Sequence, residues 1–324
     1  VRIQVRTSPR GLALTEIGLG TSQLGNLYRE TSDEEAFGAI TAAWECGIRY
    51  FDTAPHYGVG LSERRVGRLL SAFPRDEFVL STKVGRLLEA HPLAIGRDSG
   101  GFDVPATWQR RWDLSRDGIR RSVEDSLQRL GLDRIDIAYL HDPDEFLDDA
   151  VSTGLPALIE LRDEGVLRAV GAGMNHTAPL ARFIRETDID AVMIAGKYTL
   201  LDRSADQDLL TEAGGRGVAV IAAGVYNSGI LATSRPQAGA KFNYADADRA
   251  LIDRANQFAD AAEAASTDLP TLAVQFPLRS TIVTSVVVGA RNQAQVNDLA
   301  ARYRTHVADG VWATIDRIPT RDRL

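Results

Sequence analysis

Hydrophobic positions along the chain fall into short β-branched or aromatic runs. Each run gives way to a stretch with apolar residues three and four apart. Residues 3–6 and 12–14 alternate apolar and polar around Pro9-Arg10-Gly11, the pattern of a hairpin placed to lid one end of a fold. Ile17-Gly18-Leu19-Gly20-Thr21 reads as a short strand. An acidic start at Thr31-Ser32-Asp33-Glu34-Glu35 opens a helix to Cys46, where Gly47 stops it. Ile48, Tyr50 and Phe51 form the next buried strand, which ends on Asp52. Pro55, Gly58 and Gly60 break that run, and a helix follows with Leu61, Val66, Leu69 and Leu70 in phase.

The alternation continues to the end of the chain. Strands are predicted at 78–83, 135–141, 167–173, 191–195, 218–223 and 285–289. Helices are predicted at 116–130, 150–164, 180–186, 206–213, 246–265, 270–279 and 294–303, with a short one at 310–316. Counted from Ile17 there are about eight strands, each followed by a helix, which is the α/β pattern of a (β/α)8 TIM barrel. The 324 residues slightly exceed the length of roughly 250 typical of that fold. A doubly wound sheet would need a Gly-rich turn after its first strand, and Gly18-Leu19-Gly20-Thr21-Ser22-Gln23 is not G-x-G-x-x-G. No linker, low-complexity tract or short repeat divides residues 1–324, so one barrel domain with an N-terminal β-hairpin is expected.

Two segments are too long for tight turns: Val84–Leu114 and Gly224–Asn243. Both follow the carboxyl end of a strand, so both belong to the barrel face that carries active sites. The first holds Trp108, Arg110, Arg111 and Trp112. The second holds Tyr226, Asn227, Lys241 and Phe242, with Tyr244 beside them. Rings beside polar groups either line a pocket for a small polar molecule such as a sugar or pin the loops down. Trp108, Trp112 and Tyr226 are the candidate pocket residues.

Composition narrows the function classes. A net charge of −7 argues against a partner that is nucleic acid or an anionic membrane. Cys46 is the single cysteine, so no internal disulfide is possible, which suits a reducing cytoplasm. The N-terminal residues contain no long apolar segment, and no run of about 18 apolar residues occurs anywhere, so a soluble, unprocessed cytoplasmic protein is expected. No Cys/His cluster has metal-ligand spacing, so no metal is expected.

Three consecutive predicted strands end on chemically loaded residues. The second ends at Asp52 with Tyr57 on the turn beyond, the third at Lys83 and the fourth at His141. Neighbouring barrel strands bring such tips together. A phenol with a reference pKa near 10 is a poor proton carrier at neutral pH. A nearby ammonium favours the phenolate, and a carboxylate keeps that ammonium charged. A histidine alongside can hold the substrate oxygen. The set suits proton transfer coupled to hydride transfer, with the hydride carried by a cofactor.

These residues sit in the words Phe51-Asp52-Thr53-Ala54, Tyr57-Gly58, Leu61-Ser62-Glu63 and Ser81-Thr82-Lys83. A longer run, Arg121-Ser122-Val123-Glu124-Asp125-Ser126-Leu127-Gln128-Arg129-Leu130-Gly131-Leu132-Asp133, leads on to Asp136. The chain thereby resembles the aldo-keto reductases from roughly Leu14 to Leu299, with Asp52, Tyr57, Lys83 and His141 matching their catalytic tetrad. The resemblance implies a barrel that binds NAD(P)(H) extended across its C-terminal face, without a Rossmann fold. It places Asn175, in Gly171-Ala172-Gly173-Met174-Asn175, on the nicotinamide carboxamide. The family's Gln on the sixth strand falls near Ala195. Its stacking Tyr falls near Ala223, with Tyr226 or Asn227 as substitutes. Where NADPH-using members carry a Lys and an Arg for the 2′-phosphate, this chain has Gly289 and Gln295, and Arg291 remains as a phosphate partner. Loss of two cations weakens charge-assisted phosphate binding, so NAD is expected to be favoured over NADP.

Gly224-Val225-Tyr226-Asn227-Ser228-Gly229-Ile230-Leu231 and Trp112-Asp113-Leu114-Ser115 resemble a narrower branch. It contains the aldose (L-fucose and D-threo-aldose) 1-dehydrogenases, L-galactose dehydrogenase and pyridoxal 4-dehydrogenase. The implied reaction oxidises a cyclic hemiacetal to a lactone. Pyridoxal oxidation, general NADPH-dependent aldehyde reduction and a non-enzymatic nucleotide-sensing subunit are the alternatives that the same resemblance leaves open.

Overall fold

The computed structural model describes residues 3–243 and 245–320, so Tyr244 lies outside the described residues. Eight parallel strands close into a barrel: β1 Ile17–Gly20, β2 Tyr50–Asp52, β3 Val79–Val84, β4 Ile137–His141, β5 Ala169–Met174, β6 Ala191–Ala195, β7 Ala219–Ala223 and β8 Val283–Gly289. They neighbour one another in chain order, and β8 returns to β1 through Val286↔Ile17. The connecting helices are α1 Asp33–Cys46, α2 Leu61–Leu70, α3 Arg116–Leu130, α4 Leu155–Asp163, α5 Thr177–Glu186 and α6 Leu209–Arg216. After β7 come α7 Arg249–Ala264 and α8 Leu269–Gln275, and after β8 come α9 Gln293–Arg304 and α10 Asp309–Ile315.

Local chemistry explains the boundaries. Ser32 and Glu35 make a reciprocal capping box at the start of α1, and Gly47 ends it in the left-handed conformation. Ser115 caps α3 by accepting from the Gly118 amide and Gly131 ends it in the left-handed conformation, at the expected limits. The helix expected over 150–164 opens with a wide π turn, Ala150–Gly154, ahead of Pro156, which has no N–H to give to that turn. The helix expected from Asp246 begins at Arg249. Ala245–Asp246 pair instead with Lys241–Phe242, and Asp248 caps α7 through the Leu251 amide. The helix expected over 270–279 tightens to a 3-10 turn at Phe276–Arg279, where Pro277 cannot continue the ladder.

The N-terminal hairpin pairs Val5–Thr7 with Ala13–Thr15 and delivers Leu12 and Leu14 into the barrel interior beside Tyr50, Ile137, Tyr139 and Ile221. That end of the barrel is plugged with side chains, so chemistry is left to the opposite, C-terminal end. A larger apolar layer lies between the barrel and the helices. A third cluster, Val59, Leu88, Phe102 and Val104, sits against Tyr57.

The segment Val84–Leu114 is more ordered than a loop. Arg86–Ala90 pair antiparallel with Trp108–Trp112 in the register Arg86↔Trp112 and Ala90↔Trp108. Among the described residues no helix is long and apolar enough to cross a membrane.

Candidate active site

β2, β3 and β4 are adjacent, and their carboxyl ends hold Asp52, Lys83 and His141 side by side. Lys83 Nζ donates to both Asp52 oxygens at 2.7 Å and to the Thr53 carbonyl at 3.2 Å. Both side chains are buried, so the pair is shielded from water and its attraction is strong. Lys83 Nζ is also 5.5 Å from the centre of the Tyr57 ring. The His141 ring stands edge-on to Tyr57, with centroids 6.0 Å apart. The structure therefore brings all four expected residues together.

Beneath them lies a directional chain of hydroxyls that sequence reading did not find. Ser81 Oγ donates to Asp52 Oδ1 at 2.6 Å. Ser81 has only one hydroxyl proton, so the Tyr50 hydroxyl, 3.0 Å away, must donate to it. Tyr50 then accepts from Tyr139 at 3.2 Å. Every proton in the series points toward the Asp52 carboxylate. The signal was available in the period-two alternation, which puts Tyr50, Ser81 and Tyr139 on the inward face two residues before Asp52, Lys83 and His141.

The other motif words have structural roles. Glu63 is fully buried and accepts from Thr82 at 2.8 Å and from Arg129 at 2.5 Å, which ties α2 and α3 to the strand that carries Lys83. Ser62 bonds to Thr21 and Thr53, joining the ends of β1 and β2. Gly25 and Gly58 lie face to face: a Cβ on Gly25 would sit 2.6 Å from the Tyr57 carbonyl carbon. Only two glycines permit this approach, which fixes the turn that carries Tyr57.

His141 is held neutral. Burial pushes its pKa well below the usual value, and the positive charges of Arg86 and Lys83 add to that shift. His56, immediately before Tyr57, is pushed down to about 3 by burial and by Arg110 and Arg86. Its ring lies 5.5 Å from that of His141. Asp142 follows His141 with φ at +41°, and its Oδ2 is 3.5 Å from His141 Nε2 and 3.0 Å from Arg86 Nη2.

The expected pocket residues divide. Trp112 lies beside Arg86: its ring is 4.7 Å from that guanidinium and 5.5 Å from the Phe146 ring. Trp108 is exposed at the far end of the same hairpin strand, about 13 Å further along at strand spacing. The position of Tyr226 differs from the expectation of a pocket residue. Its ring packs on the outer apolar layer, and the charges acting on its phenol are Arg302, Asp268 and Asp298, which belong to the helical shell. The turn at Gly224, φ +61°, carries it to that side.

The expected cofactor residues divide as well. Asn175 directly follows β5, half-buried, and its amide makes no hydrogen bond among the described residues. Asn227 donates to the Gly196 carbonyl at 3.1 Å, while its Oδ1 is buried without a partner among them. Gly289 ends β8 with the Gln23 amide so close that a Cβ would lie 2.4 Å from it. Gln295 turns its Oε1 back to the Arg291 amide at 2.8 Å. Arg291 is placed otherwise than a phosphate ligand. It is buried, and its guanidinium donates to the Leu27 carbonyl at 2.8 Å, the Arg29 carbonyl at 3.2 Å and the Thr31 hydroxyl, holding the β1–α1 loop.

Comparison with known proteins gives the family and the fold. The model of the Aldo/keto reductase family matches residues 16–319. A D-threo-aldose 1-dehydrogenase of a Pseudomonas species is 44% identical over 310 residues, covering 94% of each chain. A pyridoxal 4-dehydrogenase of Microbacterium luteolum is 37% identical, again over 94% of each chain. The holo form of an aldo-keto reductase from Bacillus halodurans superposes with a TM-score of 0.78 at 25% identity over 100% of both chains.

Proposed function

The chain belongs to the aldo/keto reductase family and is an NAD(P)-dependent oxidoreductase, and on that premise we propose that it oxidises an aldose at the anomeric carbon to the lactone. The observation that carries this reading is the buried Asp52–Lys83 pair beside Tyr57 and a neutral His141. The similarity to a D-threo-aldose 1-dehydrogenase supports the choice of substrate.

In this reading Tyr57 removes the proton from the anomeric hydroxyl. The Lys83 ammonium stabilises the negative charge that the proton transfer demands, and Asp52 keeps that ammonium in place. His141, being neutral, presents one ring N–H to the substrate oxygen and positions it. The buried pair and its hydroxyl chain are formed before substrate arrives, so little reorganisation is needed during reaction.

The cofactor supplies the hydride acceptor when bound. The unpartnered amide of Asn175 and the buried, unpartnered Oδ1 of Asn227 fit a dinucleotide that brings its own polar groups to this side of the barrel mouth. Gly289, Gln295 and the committed Arg291 leave no free cation among these positions for a 2′-phosphate, which favours NAD.

The test is formation of NADH and of NADPH by the purified protein with L-fucose, L-galactose, D-arabinose and pyridoxal in parallel. Turnover of a sugar with NAD⁺ supports the reading. Pyridoxal as the sole substrate moves the enzyme beside its 37%-identical relative. NADPH-dependent reduction of a simple aldehyde with silence on all four rejects the dehydrogenase assignment, and a tenfold or greater preference for NADP⁺, about 1.4 kcal/mol, rejects the cofactor assignment.

A further inference from the structure

Two arginine–aspartate pairs flank the His56–His141 wall, and they are built differently. Arg110 and Asp98 close on one another through two hydrogen bonds, at 2.5 and 3.0 Å, and Arg110 spends a further N–H on the His56 carbonyl. That pair is structural. Arg86 and Asp142 share one hydrogen bond, at 3.0 Å. Among the described residues Asp142 Oδ1 accepts no hydrogen bond, and Arg86 Nε and Nη1 donate none; Nε is buried. One acceptor, Asp142 Oδ1, and one donor, Arg86 Nη1, are thus left open beside the catalytic imidazole.

The backbone is strained to produce this. Asp142 adopts φ +41°, a conformation that costs free energy in any residue but glycine. Its amide donates to the Gly173 carbonyl at 3.0 Å, which holds the strained residue against β5. The result is a carboxylate whose Oδ2 sits 3.5 Å from His141 Nε2. The Arg86 guanidinium lies over the Trp112 ring, 4.7 Å from its centre.

We propose that Arg86 and Asp142, backed by Trp112, form a subsite for a substrate hydroxyl next to the reacting carbon, so that the enzyme selects uncharged, polyhydroxylated substrates. A hydroxyl both donates and accepts, and the half-open pair offers one of each. An apolar ring face beside them suits the C–H side of a sugar ring. The guanidinium and carboxylate cancel in charge, as do Arg110 and Asp98, and both imidazoles are neutral. The wall therefore offers no net charge to a phosphate or carboxylate substrate.

This inference rests on the oxidoreductase reading and is tested with Asp142→Asn and Asp142→Gly. The probes are L-fucose and D-arabinose with NAD⁺, and butanal, which has no hydroxyl, with NADH. In both variants the ratio of kcat/KM for sugar to kcat/KM for butanal falls by about tenfold or more, mainly through KM, because a site built for a hydroxyl discriminates strongly. Asp142→Gly relieves the positive φ, which offsets part of the cost of leaving Arg86 without its carboxylate, and its melting curve and circular dichroism are recorded beside the kinetics to separate loss of fold from loss of the subsite. An equal fall on sugar and butanal overturns the subsite and makes Asp142 a positioning residue for His141. Unchanged sugar kinetics overturn it too, as does a wild-type enzyme that reduces butanal and oxidises no sugar. Absence of turnover with either class contradicts the proposed function itself, and the subsite with it.

Discussion

The half of the site carried by β2, β3 and β4 and the half carried by the connections above them differ in how their polar groups are spent. On the strands, Lys83, Asp52, Ser81, Tyr50 and Tyr139 form one closed, buried series in which each donor has its acceptor, and His141 Nδ1 is the atom at these strand tips that stays buried without a partner among the described residues. Above them, Asp142, Arg86 and His56 keep atoms without partners among the described residues, and Val59 and Asp142 hold positive φ. A closed network fixes geometry and electrostatics in advance, as proton transfer requires. An open one costs stability but leaves bonds to be made with a ligand. The strand half, with Tyr57 held over it by the β2–α2 turn, thus reads as the reaction, and the remaining connection residues as the choice of substrate.

The comparison is sharpest where the closed half is opened. Lys83→Met leaves Asp52 as a buried carboxylate without its cation, and a loss of about 3–5 kcal/mol is expected in urea unfolding. Turnover is expected to disappear with it. A variant of near-native stability would break the claim that this pair is the site's foundation.

A change outside the tetrad should reach the same chemistry through the backbone. Gly25→Ala puts a methyl 2.6 Å from the Tyr57 carbonyl carbon. The turn must move, and a displacement near 1 Å costs about 100-fold in turnover. Steady-state kinetics on all substrates check this, because loss on one substrate alone would place Tyr57 in the selecting half.

Smaller effects separate the ends of the hydroxyl series. Tyr139→Phe removes the outermost donor and leaves the Ser81–Asp52 bond intact, so about 1 kcal/mol of stability is expected to go, with most of the activity retained. At neutral pH the smallest effect is His56→Gln. His56 has a folded pKa near 3 against an ordinary 6.5, so the unfolded chain binds a proton across that window and the folded chain does not. Stability therefore falls as pH drops from 6.5 toward 3. Melting temperatures of the variant between pH 7 and 4 should fall less steeply than those of the wild type. An equal slope would assign the acid sensitivity to other groups.

Much of the strand half was legible in the sequence. Each apolar run ends on its reactive residue, and chain order alone makes β2, β3 and β4 neighbours. The connection half was not legible, for identifiable reasons. Arg86–Ala90 and Trp108–Trp112 pair across seventeen intervening residues, 91–107, far beyond the spacing that marks a hairpin. Which way Tyr226 faces depends on the turn at Gly224, and the use of Arg291 depends on carbonyls of the β1–α1 loop some 260 residues earlier in the chain. The sequence does not mark Asp142, because its importance lies in a backbone angle and a single hydrogen bond, neither of which is a pattern of residue types.

The most direct test of the central claim is the turnover of Tyr57→Phe with L-fucose and NAD⁺ and, separately, with butanal and NADH. If Tyr57 is the acid/base that the strand residues serve, kcat falls on both substrates by a similar factor, about 100-fold or more, while circular dichroism and melting temperature stay close to wild type. Near-normal turnover on either substrate would contradict the account, and would move the proton transfer to another group of the site.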